Sequence, residues 1–95
     1  MRKADIVNEI MNKTGIDKVA VEAIIESIME TVRSSVIQGE PIYLRGFGTF
    51  KVKKRANKIG RNIFKNTTVR IPAHNVPIFK PCKEFVSEVK IKVKL

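Results

Sequence analysis

The spacing of apolar residues changes at Pro41, and this change limits the fold more than any other feature of the chain. Before Pro41, apolar residues recur every three or four positions, which is the period of an α-helix. After Pro41, apolar and polar residues alternate, which is the period of a β-strand with one buried face. Because the two periods occupy separate parts of one 95-residue chain, the sequence predicts an α+β fold in a single domain.

Two helices are predicted in the first part of the chain. The first covers residues 3–13, and Gly15 is placed to end it. The second covers about residues 18–38, with Asp17 as its N-cap and Gly39 at its end. The apolar stripe of this second helix is formed by Val21, Ile24, Ile25, Ile28, Met29, Val32 and Val36.

The alternating part of the chain predicts a sheet. Its strands are IYL (42–44), GTFKVKKR (48–55) and TTVRIPAHNVPIF (67–79). Gly46 and Gly48 are expected to form the turn between the first two strands.

Two prolines limit the position of the last strand. Pro72 and Pro77 cannot donate backbone hydrogen bonds, so this strand is expected at an edge of the sheet, or it leaves the sheet near them. A final helix is predicted over about residues 82–90. The tail VKIKVKL (89–95) alternates like a strand but is short, and it receives no assignment.

Positive charge is concentrated in one segment. The net charge is +10, with a pI of about 10.1. Residues 1–40 hold five Lys or Arg against seven Asp or Glu, whereas residues 41–83 hold eleven Lys or Arg and no acidic residue. Charge kept only for solubility would not need this segregation, so the segment predicts a polyanionic partner.

The distribution of apolar residues predicts both an arm and a dimer. The hairpin at about residues 54–71 has few apolar side chains, so it is expected to project as a flexible arm that becomes ordered on a partner. Elsewhere the chain carries more apolar surface than so small a fold covers alone, and a two-fold dimer would bury it. The residues assigned to this dimer core are Phe47, Phe50, Phe79, Ile28 and Val32.

Two stretches, RGFGTFKVKKRANKIGRN (45–62) and IPAHNVPIF (71–79), resemble the HU/IHF family of bacterial DNA-bending proteins. The resemblance covers nearly the whole chain. It implies an intertwined homodimer or heterodimer in which a helical hairpin (1–40) packs on a three-stranded antiparallel sheet (41–81) that bears a long β-ribbon arm. A short C-terminal helix and tail (82–95) complete the implied fold.

The tip of the arm departs from the family pattern. Family members usually carry a proline after GRN, which wedges between base pairs, and the matching residue here is Ile63. Minor-groove proteins, this family among them, also insert Ile and Phe side chains as wedges. Ile63 is apolar and stiff at its β-branch, so it is expected to act as the wedge, and Phe64 is expected to share that role.

The resemblance also implies DNA-binding residues. In the arm, the positions that line the minor groove are matched by Arg55, Lys58, Arg61 and Asn62. On the body, the residues expected at the flanking phosphates are Lys3, Gly46, Lys80 and Lys83. Three further cations are assigned to DNA on charge alone: Lys51, Lys53 and Arg70.

The function expected from these features is architectural: a dimer that binds and bends double-stranded DNA, mostly without sequence preference. One alternative is a sequence-selective, IHF-like bending factor that reads DNA deformability. More remote alternatives are an RNA-binding or ribosome-associated basic protein, which would stack bases on aromatic side chains, and a scaffold for an acidic protein.

Other classes of function find no support in the sequence. It has no Gly-rich phosphate loop, no carboxylate pair beside a base and no Cys/His metal spacing, so neither an enzyme nor a cofactor or metal is expected. His74, the single histidine, is interpreted as a polar strand residue, and Cys82 as a structural cysteine. No apolar run approaches the roughly 20 residues of a membrane span. The expected location is the cytoplasm, at the nucleoid.

Overall fold

Three α-helices and five β-strands form the part of the chain that the computed structural model describes, which is residues 1–62 and 67–94. The chain divides into two compact units, Met1–Ser35 and Val36–Leu95. The helices and antiparallel strands confirm the α+β class predicted from the change of period at Pro41.

Helix α1 (Lys3–Thr14) is closed by local hydrogen bonds at both ends. At its start, the backbone N–H of Arg2 donates to Oδ2 of Asp5 at 2.8 Å. At its end, Gly15 has a left-handed φ of 73°, and its N–H donates to a carbonyl of the last turn. Glycine takes this conformation without strain, so the helix ends where the sequence predicted.

Helix α2 (Lys18–Ile37) begins at the predicted cap. The backbone N–H of Ala20 donates to Oδ1 of Asp17 at 3.2 Å, which satisfies one of the free donors of the first turn. Gly39, with φ 84°, follows the end of the helix.

The apolar stripe of α2 is only partly covered within the chain. Val21 is 1% exposed, and Val7 of α1 is 2% exposed. Further along the stripe, Ile24, Ile28 and Met29 remain about half exposed, at 51%, 54% and 48%. The chain alone therefore leaves much of this stripe in contact with water.

A three-stranded antiparallel sheet forms in the second unit. Strand β2 (Gly48–Arg55) lies between β1 (Ile42–Leu44) and β5 (His74–Pro81). Phe50 of β2 is directly opposite Phe79 of β5. The edge position of β5 confirms the expectation from its prolines, because an edge strand tolerates a residue that lacks an N–H.

The turn between β1 and β2 differs from the prediction at one glycine. The turn is closed by a 3.0 Å hydrogen bond from the N–H of Phe47 to the carbonyl of Leu44, and Gly46 has a left-handed φ of 81°. Gly48 is not a turn residue, because it is buried and begins β2. A Cβ at this position would lie 2.5 Å from the carbonyl oxygen of Lys80, so glycine is needed there for close packing.

A separate two-stranded ribbon, called the arm below, consists of β3 (Lys58–Asn62) and β4 (Thr67–Ile71). The run 67–79 therefore forms two strands rather than one, because the chain leaves the sheet at Pro72 and Ala73. The prolines predicted such a departure. Residues 54–55, counted in the arm from the sequence, belong to β2 and pair with β5.

Helix α3 (Lys83–Lys92) follows the sheet, with Cys82 as its N-cap residue. The aromatic ring of Phe85, a residue of this helix, joins a cluster of aromatic side chains in the second unit. The ring centroid of Phe79 lies 4.7 Å from that of Phe50 and 4.8 Å from that of Phe47, which in turn lies 5.7 Å from Phe85. These separations are favourable for aromatic pairs, so the four rings pack on one another, although Phe47 and Phe85 remain partly exposed.

Candidate nucleic-acid interface

One face of the sheet carries a group of cations. Side chains alternate along a strand, so the odd-numbered positions of β2 lie on the face opposite Phe50 and Val52. The register places Lys80 of β5 opposite Thr49, and therefore on this same face. We call the face formed by Lys51, Lys53, Arg55 and Lys80 the basic face.

Apolar residues lie between these cations. Ile78 is opposite Lys51 and Val76 is opposite Lys53, and both apolar side chains are half-buried. Long lysine side chains can lie along such apolar groups while their ammonium groups stay in water. Since residues 41–83 contain no Asp or Glu, this segment supplies no carboxylate to neutralise the basic face.

A second group of cations surrounds an open cavity with a volume of about 500 Å³, called the body cleft below. Its lining includes Gly46, Lys80 and Lys83, which are three of the residues predicted to contact phosphates on the body. The N–H of Cys82 donates to the carbonyl of Phe47 at 2.9 Å, which holds the start of α3 beside the β1–β2 turn. The structure thus brings the β1–β2 turn together with the end of β5 and the start of α3.

Arg45 also lines the body cleft, and the sequence reasoning did not select it. The signal was present, because Arg45 immediately precedes Gly46 and lies in the acid-free segment. Its contribution depends on the fold, which brings the β1–β2 turn to the start of α3. With Lys80 and Lys83, it makes the cleft suitable for an anion.

The junction between sheet and arm, called the elbow below, is residues 56–57 and 72–73. Its two strands are joined by a hydrogen bond from the backbone N–H of Ala73 to the side-chain oxygen of Asn57. Beside it lies an open cavity with a volume of about 640 Å³, whose lining includes Arg55, Ile71 and His74. Asn57 was not selected from the sequence, because its partner lies 16 residues away.

The arm itself presents an exposed cation and an exposed apolar residue as a directly opposed pair, Arg70 and Ile59. Ile59 is 72% exposed. For Lys58, Arg61 and Asn62, the structure describes the backbone, which forms β3. Ile63 and Phe64 lie outside the described residues, so their role as a wedge stays a prediction.

Lys3 lies in the first unit and pairs with a carboxylate. Its Nζ donates a hydrogen bond to Oε1 of Glu26, and both side chains are about half exposed. This hydrogen bond, the negative charge of Glu26 and a smaller effect of Glu22 raise the pKa of Lys3 above its usual value. Lys3 is therefore a charged residue that already has an anionic partner, with which a DNA phosphate would compete.

The residues assigned to a dimer core lie in both units. Ile28 is 54% exposed and Val32 is half-buried on α2, whereas Phe50 and Phe79 are half-buried in the aromatic cluster. Phe47 belongs to the same cluster but remains 45% exposed. The three rings thus pack on one another within a single chain, and their assignment to a dimer core stays a prediction.

Neither a metal-binding cluster nor a membrane-spanning helix is present in the part of the chain that the structure describes. No group of three or more His, Cys, Asp or Glu residues there is arranged to hold a metal ion. No described helix combines the length and the apolar character required to cross a bilayer.

Comparison with known proteins identifies the family. The model of the family described as "Bacterial DNA-binding protein" matches residues 1–90. The chain belongs to this family. Its relatives include DNA-binding protein HU of Clostridium pasteurianum, 36% identical over 94% of this chain and 98% of that protein. HU of Haemophilus influenzae is also 36% identical, over 95% of this chain and 100% of that protein.

Solved structures of the family share the fold. The cocrystal structure of Anabaena HU with DNA matches with a TM-score of 0.86 and 31% identity, over 99% of this chain and 100% of that one. HU from Thermotoga maritima matches with a TM-score of 0.65 and 25% identity, over 94% of this chain and 98% of that one. The family membership predicted from the GFGTF and GRN motifs is confirmed.

Proposed function

We propose that this family member is an architectural protein that binds and bends double-stranded DNA as a dimer, mostly without sequence preference. The observation that carries the proposal is the concentration of cations on the basic face and around the body cleft, within a segment that has no acidic residue. The relative with the best structural agreement among those described above, Anabaena HU, was crystallised with DNA.

The chemistry of this surface fits the phosphate backbone of a duplex. Lys and Arg side chains bind phosphates through charge and hydrogen bonds, and such contacts carry little sequence information. The basic face extends along β2 as far as Arg55, next to the elbow from which the arm continues. A duplex lying on the basic face would therefore be accessible to the arm.

The arm gives the proposal its bending component. Its residues Lys58, Arg61 and Asn62, together with Arg55 at the end of the basic face, would line the minor groove, where the negative potential attracts cations. Ile63, with Phe64 beside it, would enter a base step and open it. Partial unstacking has an energetic cost, which is offset when the bent duplex contacts more of the protein.

The exposed apolar surface supports a dimer. Ile24, Ile28 and Met29 remain about half exposed on one helix of a chain this small. A second copy of this chain, or a paralogous subunit, would remove that surface from water. Two subunits would also supply two arms, one for each side of a bent duplex.

The proposal places the protein at the nucleoid, with DNA and its own partner subunit as ligands. It involves no small-molecule substrate, cofactor or catalytic step. Residues 1–95 act in it as a single DNA-binding domain.

Bending is tested by fluorescence resonance energy transfer between the ends of a duplex of about 35 base pairs. We expect the protein to shorten the end-to-end distance, with an affinity that falls steeply as salt rises. Ile63→Ala should bind with little loss of affinity but bend the duplex less, because the truncated side chain no longer fills the opened base step.

Ile59→Ala is the matched control, since it removes the same atoms from an exposed position in the same arm. It should bend DNA like the wild type. Equal bending by Ile63→Ala and wild type would reject the wedge and leave the arm as an electrostatic contact. Binding without any bending by the wild type would reject the architectural function itself.

A further inference from the structure

The single histidine of the chain lies at the start of β5, beside the elbow. We infer that His74 is a ligand of a DNA phosphate and that it makes DNA binding dependent on pH. This inference rests on the proposed function and adds a residue that the family resemblance does not assign.

The register places His74 among the cations of the basic face. It is directly opposite Arg55 of β2, and paired residues of neighbouring strands lie on the same face. Both residues also line the open cavity at the elbow. His74 is exposed, so a backbone phosphate of a duplex on the basic face can reach it.

A hydrogen bond orients the imidazole ring. Nδ1 of His74 lies 2.9 Å from the carbonyl oxygen of Pro72. A carbonyl oxygen only accepts hydrogen bonds, so Nδ1 carries the hydrogen and Nε2 is the ring nitrogen left for a ligand. In the neutral ring Nε2 is an acceptor and cannot bond to a phosphate oxygen, whereas in the protonated ring it becomes a donor.

The charges around the ring set the direction of the effect. Arg55 faces His74 from β2, with Lys53 next on the same face, and Arg70 lies on the arm strand that leads to the elbow. The segment 41–83 contributes no carboxylate. A phosphate placed between Arg55 and His74 offsets the repulsion between two cations, so DNA binding favours the protonated imidazole.

Proton uptake on binding means that affinity rises as pH falls. An imidazole changes its charge between about pH 5 and 8, and no second histidine is present to do so. One added phosphate contact steepens the dependence of log K on log salt by about 0.9. At about 0.1 M salt, each such contact corresponds to roughly a fivefold to tenfold gain in affinity, and a dimer carries two copies of His74.

The test is fluorescence anisotropy with a duplex of about 35 base pairs, from about pH 5.5 to 8.5 at constant ionic strength. Toward the acidic end, the wild type should gain roughly fivefold to tenfold in affinity for each His74 of the dimer that contacts the duplex, with a steeper salt slope there. His74→Gln should bind like the wild type at the alkaline end and show no gain. His74→Lys should bind tightly across the whole range.

Cys82→Ser is the control, because it changes a side chain outside the elbow, and it should keep the full pH dependence. Circular dichroism melts check that each variant is folded. In a proton–carbon NMR spectrum of the wild type, the one imidazole should protonate at a higher pH when DNA is present.

The outcomes separate the inference from the function on which it rests. Two results would overturn the inference while the proposed function stands. One is that His74→Gln binds DNA with an undiminished pH dependence. The other is that the imidazole protonates at the same pH with and without DNA. Absence of DNA binding by the wild type at every pH would overturn both.

Discussion

At the scale of single residues, the two glycines that follow β1, Gly46 and Gly48, are glycine for different physical reasons. Gly46 has φ 81° and open space around its Cα, so backbone conformation is its constraint. Gly48 has no positive φ, but an added Cβ would lie 2.6 Å from a ring carbon of Phe79 as well as against the backbone of Lys80. Contact across the sheet is its constraint.

Gly48→Ala is therefore expected to lower the free energy of unfolding by about 1–3 kcal/mol, because backbone and a packed ring must move to admit one methyl group. Urea denaturation measures this. Gly46→Asn is the comparison, since Asn adopts the left-handed conformation more readily than other residues and meets no neighbour there. A Gly48→Ala protein as stable as wild type would show that β5 is not held closely against β2.

A second residue-scale prediction concerns the ion pair of Lys3 and Glu26. A DNA phosphate must compete with Glu26 for Lys3, so Glu26→Gln should increase DNA affinity severalfold at low salt. The difference should shrink as salt rises, because exposed charges are screened. Anisotropy titrations over a salt series measure it.

Glu30→Gln is the matched control for this effect. It removes the same charge from the next turn of the same helix. An equal gain in both variants would mean that general negative charge on α2, rather than competition for Lys3, weakens binding.

At the scale of elements, the helix boundaries follow from caps that are local in sequence. Asp17 accepts a hydrogen bond from the N–H of Ala20, and Gly15 and Gly39 follow the two helices with left-handed backbones.

The structure of the C-terminal tail does not follow its local sequence pattern. Residues 89–92 alternate like a strand but continue α3, because a helix already begun at Lys83 adds a hydrogen bond for each residue that joins it.

The cap of α2 yields an element-scale prediction. Asp17→Ala should lower the free energy of unfolding by about 1 kcal/mol, because the N–H of Ala20 loses its side-chain acceptor. Asp17→Asn keeps an acceptor oxygen and should retain most of the stability. Thermal melts at one fixed protein concentration compare the three proteins, and equal losses for Ala and Asn would indicate a charge effect instead of a cap.

At the scale of the whole molecule, the partly exposed stripe of α2 and the proposed dimer are linked. If a second copy covers this stripe, stability includes an association term, and the melting temperature should rise with protein concentration. Sedimentation equilibrium should then give the mass of a dimer.

Ile28→Lys is expected to shift this equilibrium toward monomer, because it would bury an unpaired charge in the interface. Val19→Lys is its control. Val19 is 75% exposed and lies nine residues earlier on the same helix, about 180° around its axis. Equal dissociation of both variants would exclude this face of α2 as the interface.

Features that depend on neighbours along the chain could be predicted from the sequence. The α+β class follows from the change of period at Pro41, the helix limits from Asp17 and the capping glycines, and the polyanion-binding segment from its lack of acidic residues. Each is a short-range pattern with a direct physical reading. The family resemblance was equally local, since it rested on the GFGTF and GRN motifs.

Contacts between residues distant in sequence could not be predicted in this way, because they depend on the tertiary structure. It placed Arg45 with Lys83 at one cleft and paired Lys3 with Glu26 across 23 positions. It also set His74 against Arg55, and made Gly48 a packing residue instead of a turn residue. No local pattern encodes these pairs, because each depends on a strand register or a chain reversal that the whole fold establishes before two side chains come within reach of each other.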